Sequence, residues 1–388
     1  MTKSDVLSLS KAGGTDLIKE YQEWADAIWK KADTKLQTVA ARSKFKLPYT
    51  TIDGVHDNFA EKDISWWTNG FWGGLMWLMY LDTKNEVYKA TAEESEEILK
   101  EALMEYEGLH HDVGFMYHIT SGVNYRVTGN QKSKVRTLLA ADILAARYNM
   151  KGGYIRAWNS DYVGWAIIDC MMNIPLLYWA SEEKNDPRYR YIAMSHADKT
   201  MKHHVRADGS VKHIVEYNPE TGEEIQEIGG QGYGVGSSWS RGQAWGLYGF
   251  TVSYLYTQKK EYLETAKRIA HYFISSVCED YLPRCDFRSP EEPVIYDSTA
   301  GAIAASGLLE LAKLVTEEER ETYLRAAVHL LKALEDKFCN WDLEEDSILQ
   351  MGTERYHDKK GRHIPIIYGD YYFIEALYKL RGNEFRVW

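Results

Sequence analysis

Two kinds of helical segment alternate along this chain, and the alternation restricts the fold more than any single motif does. The first kind is amphipathic: Tyr262, Ala266, Ile269, Ala270, Phe273 and Val277 follow the 3.6-residue period in 259–277, and Tyr323, Ala327, Leu330, Leu331, Leu334 and Phe338 do so in 317–338. Similar segments occupy 15–32, 87–107, 131–149 and 187–204. The last opens with Asn185-Asp186-Pro187, a cap followed by proline at the first helical position. The second kind is apolar or small on nearly every side and occupies 66–80, 112–128, 163–180, 239–256, 297–313 and 369–381. An amphipathic helix has one face to bury, whereas a helix that is apolar all round must be enclosed. Six of each in strict alternation predict an all-α (α/α)6 barrel, six helical hairpins with one helix of each pair inside. Gly, Trp, Ser and Asp gather at the starts of the inner segments, where unpaired backbone N–H groups lie, so the site is expected at that end.

The long connections 34–64, 205–238 and 339–368 hold turn residues and alternating patches such as Val211-Lys212-His213-Ile214-Val215, which predict short β-hairpins in the rim loops. Without a linker rich in Pro, Gly or Ser, residues 1–388 read as a single barrel domain, with 1–14 expected to be a flexible N-terminal tail.

Composition narrows the partners. A net charge of -11 disfavours nucleic acid and anionic membranes, since both call for a basic surface. No stretch reaches the roughly 18 uninterrupted apolar residues of a membrane span, and the start has no signal-peptide core, so a cytoplasmic location is expected. Cys170, Cys278, Cys285 and Cys339 lack both disulfide-framework density and metal-type spacing, which fits free thiols in a reducing compartment. The 13 Trp and 28 Tyr suit a concave site that stacks flat, hydroxylated ligands such as sugars, although most serve packing between helices.

Within the inner segments one residue is out of place. Asp169 sits in Ala166-Ile167-Ile168-Asp169-Cys170-Met171-Met172, a run read as the interior of an apolar helix. Burial raises a carboxyl pKa, which suits a group that must hold and then release a proton. Asn173, one turn on, is the neighbour expected to satisfy it if its role is purely structural. Asp112, in His110-His111-Asp112-Val113-Gly114-Phe115, is the second candidate; its helix-entrance position also suits a cap. In Trp239-Ser240-Arg241-Gly242-Gln243-Ala244-Trp245, Arg241 and Trp245 share a helix face and could offer a guanidinium and an aromatic ring to one acidic ligand. A bridging role between helices is the alternative for Arg241. No metal or cofactor is expected: His110-His111 and His203-His204 are adjacent pairs whose members should point different ways, and phosphate-loop and esterase motifs are absent.

These motifs, taken in order with Ala157-Trp158 and Tyr368-Gly369-Asp370-Tyr371-Tyr372, resemble those of the unsaturated glucuronyl hydrolases, glycoside hydrolase family 88, over about Trp66 to Leu380. The resemblance implies the same barrel and a small partner, an unsaturated oligosaccharide left by a polysaccharide lyase. It also implies hydration of the C4=C5 vinyl ether of the terminal uronate in place of two-carboxylate displacement at the glycosidic bond. Asp169 falls on the family's general acid/base position and Asp112 on its second essential aspartate. Trp67, His111, Trp158, His213, Gln231, Arg241, Trp245 and Tyr356 fall on substrate-contacting positions, with Arg241, Gln231 and His213 as binders of the uronate carboxylate. The first wall departs from the pattern, since Asn69 stands where some members have Asp.

Two other readings stand beside this one: an unsaturated rhamnogalacturonyl hydrolase taking pectin fragments, and a non-catalytic sugar-binding barrel, which would need no buried Asp169. The locally basic loop His357 to His363 is expected to favour sulfated fragments at the second sugar. The protein is expected to be a monomer or a weak homo-oligomer.

Overall fold

The computed structural model describes residues 15–388, so the expected tail at 1–14 lies outside the described residues. In chain order the helices are α1 (Thr15–Arg42), α2 (Phe71–Thr83), α3 (Glu86–Glu105), α4 (Val113–Tyr117), α5 (Ser121–Thr128), α6 (Gln131–Ala146) and α7 (Pro175–Lys184). They continue with α8 (Pro187–His203), α9 (Ser240–Thr257), α10 (Lys260–Val277), α11 (Ser298–Ala312), α12 (Glu317–Phe338) and α13 (Ile367–Leu380). Inner α2, α5, α7, α9, α11 and α13 pack on outer α3, α6, α8, α10, α12 and α1, and α13 packs against α2 to close the ring. This is the predicted helical barrel.

The two burial patterns read from the sequence are met by two kinds of surroundings. In α10 the buried residues are Tyr262, Thr265, Ala266, Ile269, Ala270, Phe273 and Val277, one stripe facing inward. In α11 every residue from Ser298 to Ala312 is buried. Each fully enclosed aliphatic or aromatic side chain contributes about 1.5–3 kcal/mol, so the inner ring is the main source of stability.

Two inner segments depart from continuous helix. Segment 112–128 divides into α4 and α5 at Thr120, whose hydroxyl donates to the Met116 carbonyl and whose backbone leaves helical geometry at φ -105, ψ -90. Segment 163–180 begins as strand β5 (Trp165–Ile167), passes through a 3-10 turn at Ile168–Met172, and becomes α7 only at Pro175. Asp169 therefore lies in the first turn of a 3-10 segment and not in the middle of an α-helix. The cause is sheet pairing: β5 is antiparallel to β6 (Ile214–Tyr217), with Ile167 opposite Ile214, and the Ile168 N–H donates to the His213 carbonyl.

Strand β6 also pairs with β7 (Glu224–Ile228), so the hairpin expected in 205–238 becomes a three-stranded sheet. The connection 34–64 holds the hairpin β1 (Thr51–Ile52) and β2 (Val55–His56). An unanticipated hairpin joins β3 (Tyr148–Asn149) to β4 (Tyr154–Ile155). In 339–368 only isolated bridges form, Cys339 to Leu349 and Gly352 to Ile364. All four cysteines are free.

Candidate active site

Each inner segment presents a polar or aromatic residue at its start. Trp67 opens the 3-10 turn before α2, Asp112 precedes α4, and Asp169 lies ahead of α7; Arg241 is in the first turn of α9, Asp297 caps α11, and Tyr368 is in the first turn of α13. Small residues set how closely these starts approach. A Cβ on Gly114 would lie 2.6 Å from the Asn173 Cα, so only glycine lets α4 press against the turn carrying Asp169.

Asn173 joins the two aspartates. Its Oδ1 accepts from the Phe115 N–H at 2.9 Å, which orients the amide, and its Nδ2 donates to Asp112 Oδ1 at 2.9 Å and to the Asp169 backbone carbonyl at 3.3 Å. The side chain expected to satisfy Asp169 thus serves the other carboxylate. Asp112 gives no side-chain cap to α4. Its Oδ2 instead has His110 Nδ1 and His111 Nε2 each at 3.4 Å, so the adjacent histidines converge where they were expected to diverge. The reason is local: residues 110–112 form an irregular turn before α4, without the fixed angular spacing of a helix or strand.

The two carboxyls consequently differ in proton affinity. Burial pushes Asp112 upward, but His111, His110 and the Asn173 amide outweigh it and hold the group below the usual aspartate range. Asp169 is raised from 3.8 to about 8, first by burial and then by the charge of Asp112, with Arg241 acting in the opposite sense. Its Oδ1 has no hydrogen-bond partner among the described residues.

His213 stands across from it, Nε2 to Asp169 Oδ1 being 3.8 Å. Its Nδ1 accepts the Gln231 N–H at 2.9 Å, so in the neutral ring the proton lies on Nε2, toward Asp169. Burial and the nearby Arg241 charge keep this imidazole neutral. Gly230 makes the contact feasible: at φ +61 it adopts a left-handed conformation, and a Cβ there would fall 1.9 Å from His213 Nδ1.

Arg241 is fully buried and heavily committed. It pairs with Asp297, Nη1 also donates to the Thr353 carbonyl at 2.7 Å, and Nη2 donates to the Glu354 carbonyl at 2.8 Å. Its guanidinium lies 4.5 Å from the Trp239 ring and 5.4 Å from that of Tyr368. Burial opposes the charge, yet Asp297 above all keeps it protonated. The bridging role weighed for this residue is therefore present, and Nε remains without a partner among the described residues.

The other expected site residues gather at the same end. Gln231 Nε2 donates to the Glu354 carbonyl and the Tyr356 N–H donates to the Gln231 carbonyl, both at 2.9 Å, stitching two rim loops together. Trp67 is half-buried against Phe115 and Tyr368, at 5.6 and 5.0 Å between ring centres. Trp158 follows Ala157, whose carbonyl accepts the His111 N–H. Trp245 is wholly enclosed between Phe115 and Tyr372, at 5.1 and 5.4 Å. Sequence reasoning passed over His110, Trp239, which packs 4.2 Å from His213, and the Asp297 counter-ion; only the inner-helix start at Asp297 hinted at the last.

A proton donor of raised affinity, an ionised partner, a neutral imidazole and aromatic walls form a site able to move one proton on a sugar-like ligand. Comparison with known proteins agrees. The model of Glycosyl Hydrolase Family 88 matches residues 48–277, well over half the chain. The unsaturated glucuronyl hydrolase of Bacillus sp. (strain GL1) is 37% identical over 374 residues, covering 93% of this chain and 99% of that protein. The unsaturated chondroitin disaccharide hydrolase of Streptococcus pyogenes serotype M1 is 35% identical, with 86% of each chain covered. The crystal structure of the Bacillus sp. GL1 enzyme superposes with a TM-score of 0.84 at 36% identity, covering 91% of this chain and 96% of that one. Fold, site and these likenesses together place the chain in glycoside hydrolase family 88, as a hydrolytic enzyme.

Proposed function

We propose that this enzyme hydrolyses unsaturated uronyl oligosaccharides, in particular the glycosaminoglycan disaccharides that polysaccharide lyases release. The observation that carries the reading is Asp169, a carboxyl raised to about 8 and therefore mostly protonated at neutral pH, opposite neutral His213 and beside ionised Asp112. Asp169 donates its proton to C4 of the C4=C5 vinyl ether, leaving positive character at C5 shared with the ring oxygen. Water adds at C5 and gives its proton to the Asp169 carboxylate, which restores the acid. The resulting hemiketal opens, releases the uronate as a keto acid and expels the remaining sugar. One carboxyl thus acts first as acid and then as base.

Asp112 acts through charge: held ionised by its histidines and Asn173, it keeps the proton on Asp169. Trp67, Trp158 and Tyr356 supply the aromatic walls, whereas Trp245, expected among them, is fully enclosed and packs behind Trp67 through Phe115. His111, His213 and Gln231 supply the polar contacts, and Arg241, its Nη atoms held by Asp297, Thr353 and Glu354, draws the uronate carboxylate through its positive charge. The names of the relatives, for unsaturated glucuronyl and unsaturated chondroitin disaccharide hydrolysis, support this substrate class over pectin fragments. Lys359 and Lys360 are exposed on the loop anchored through Tyr356, suited to a sulfate on the second sugar. No described helix is long and apolar enough to cross a membrane. The enzyme is read as cytoplasmic, acting on small imported fragments as a monomer or weak homo-oligomer. The whole of 1–388 is read as one catalytic domain.

The test is the ultraviolet absorbance of the conjugated uronate, followed on unsaturated hyaluronan, chondroitin, heparin and pectin disaccharides. Loss of absorbance with glycosaminoglycan products is expected. Turnover of the pectin product alone would replace this reading, and equal rates on sulfated and unsulfated disaccharides, unchanged in Lys359→Ala/Lys360→Ala, would remove the sulfate contact.

A further inference from the structure

The convergence of His110, His111 and Asp112 has a second consequence besides holding one carboxylate ionised. His110 Nδ1, His111 Nε2 and Asp112 Oδ2 all lie within 4.8 Å of one another, and both nitrogen-to-oxygen edges measure 3.4 Å. A tetrahedral zinc ion with bonds of about 2.0–2.1 Å separates its ligands by roughly 3.3–3.4 Å, so two of the three edges of a ligand face already have the right length. The remaining edge joins the two imidazoles. The His110 side chain is 20% exposed and can turn to close it. Asn173 completes the arrangement from behind: its amide holds Asp112 Oδ1, which fixes the carboxylate rotation and leaves Oδ2 facing the nitrogens.

We propose that His110, His111 and Asp112 form an inhibitory zinc site at the mouth of the catalytic centre, with the fourth position open to water. Two imidazoles and one carboxylate are a donor set that zinc prefers over calcium or magnesium, which take oxygen ligands. The site is a regulatory one and not a resident cofactor site. His111 Nδ1 is buried without a partner among the described residues, whereas tightly held zinc has its histidines oriented by an acceptor on the other ring nitrogen. Affinity is accordingly modest and binding reversible. The inhibition rests on the proposed function: an ion held through His111 Nε2 takes away a nitrogen read there as a substrate contact and stands against the Asp112 carboxylate.

The experiment is calorimetric titration of the metal-free protein with zinc chloride, alongside the absorbance assay with and without chelator. One ion per chain is expected, with inhibition reversed by EDTA. His110→Ala should weaken binding at least about tenfold, the scale on which even ligand-orienting groups matter. Asp112→Asn, nearly isosteric, should do the same and guards against a folding defect in the first variant. Absence of stoichiometric binding, or equal binding in both variants, overturns the site. Binding without inhibition overturns the regulatory part. If no unsaturated uronide is turned over at all, the proposed function fails while the titration still decides the metal site.

Discussion

Asp169→Asn separates the chemical use of this carboxyl from its cost to the fold. The displacement from 3.8 to about 8 corresponds to roughly 6 kcal/mol in favour of the neutral form. Unfolded, the side chain ionises near pH 4; folded, it keeps its proton until about 8. Between these limits the native state binds more protons than the unfolded one, so wild-type stability falls as pH rises through the window and levels off above about 8. At pH 7 the cost is about 4 kcal/mol, the product of about 1.36 kcal/mol and the roughly three pH units above 3.8. Asparagine carries no titrating proton in either state and escapes this cost. For 388 residues the unfolding entropy is on the order of 0.8 kcal/mol per degree, so the variant should gain about 5 °C in Tm at pH 7 and close to nothing at pH 4. Turnover should meanwhile drop by on the order of ten-thousandfold, since donor and acceptor of the proton are both lost. Differential scanning calorimetry from pH 4 to 8, with the absorbance assay, reads both effects. A Tm gain independent of pH would refute the burial argument, and turnover within about tenfold of wild type would refute the assignment. In the wild type, activity should decline as pH rises through about 8, where Asp169 loses its proton.

Asn173→Ala removes a donor that lowers the Asp112 pKa and leaves the buried Phe115 N–H unpaired. It should cost about 2–3 kcal/mol by chemical denaturation and move the acid-side limb of the pH–rate profile to higher pH; an unmoved limb would mean that the amide has no part in the charge of Asp112. Gly230→Ala places a methyl group 1.9 Å from His213 Nδ1 at a φ of +61. A loss of at least about tenfold in kcat/KM with Tm lowered by only a few degrees is expected, and wild-type kinetics would show that the His213 position does not matter.

What the sequence made legible, and what it hid, divides along physical lines. Outer stripes such as Tyr262 to Val277 were visible because burial on one side leaves a periodic trace. The inner starts were visible because glycine and aromatic residues collect where helices converge. Asp169 was conspicuous by its apolar neighbours, but its secondary structure was misjudged: Trp165-Ala166-Ile167 is a short apolar run, and periodicity cannot tell such a strand from buried helix. The convergence of the histidine pair is hidden because adjacency in sequence does not show that the backbone at 110–112 is irregular. The partners of Arg241 were hidden for another reason. Asp297 and Thr353 lie 56 and 112 residues away, and only the packing of α11 beside α9 and the course of the 339–368 connection bring them to it.

The site depends on treating two nearby aspartates unequally, and the barrel achieves this through two histidines and a single amide. Asn173 stands on the segment of Asp169, four residues on, yet its Nδ2 reaches across to the Asp112 carboxylate and gives Asp169 only a contact to the backbone carbonyl. Two histidines join it around Asp112, while Asp169 Oδ1 has only a neutral imidazole nitrogen 3.8 Å away. Both groups are deeply enclosed, so burial alone would raise both. His111 above all, with His110 and the Asn173 amide, decides which one ionises, and the charge of that one then raises the other further. The same asymmetry orders the chemistry, because an ionised pair could not supply the first proton and a neutral pair would lack the charge that keeps that proton in place.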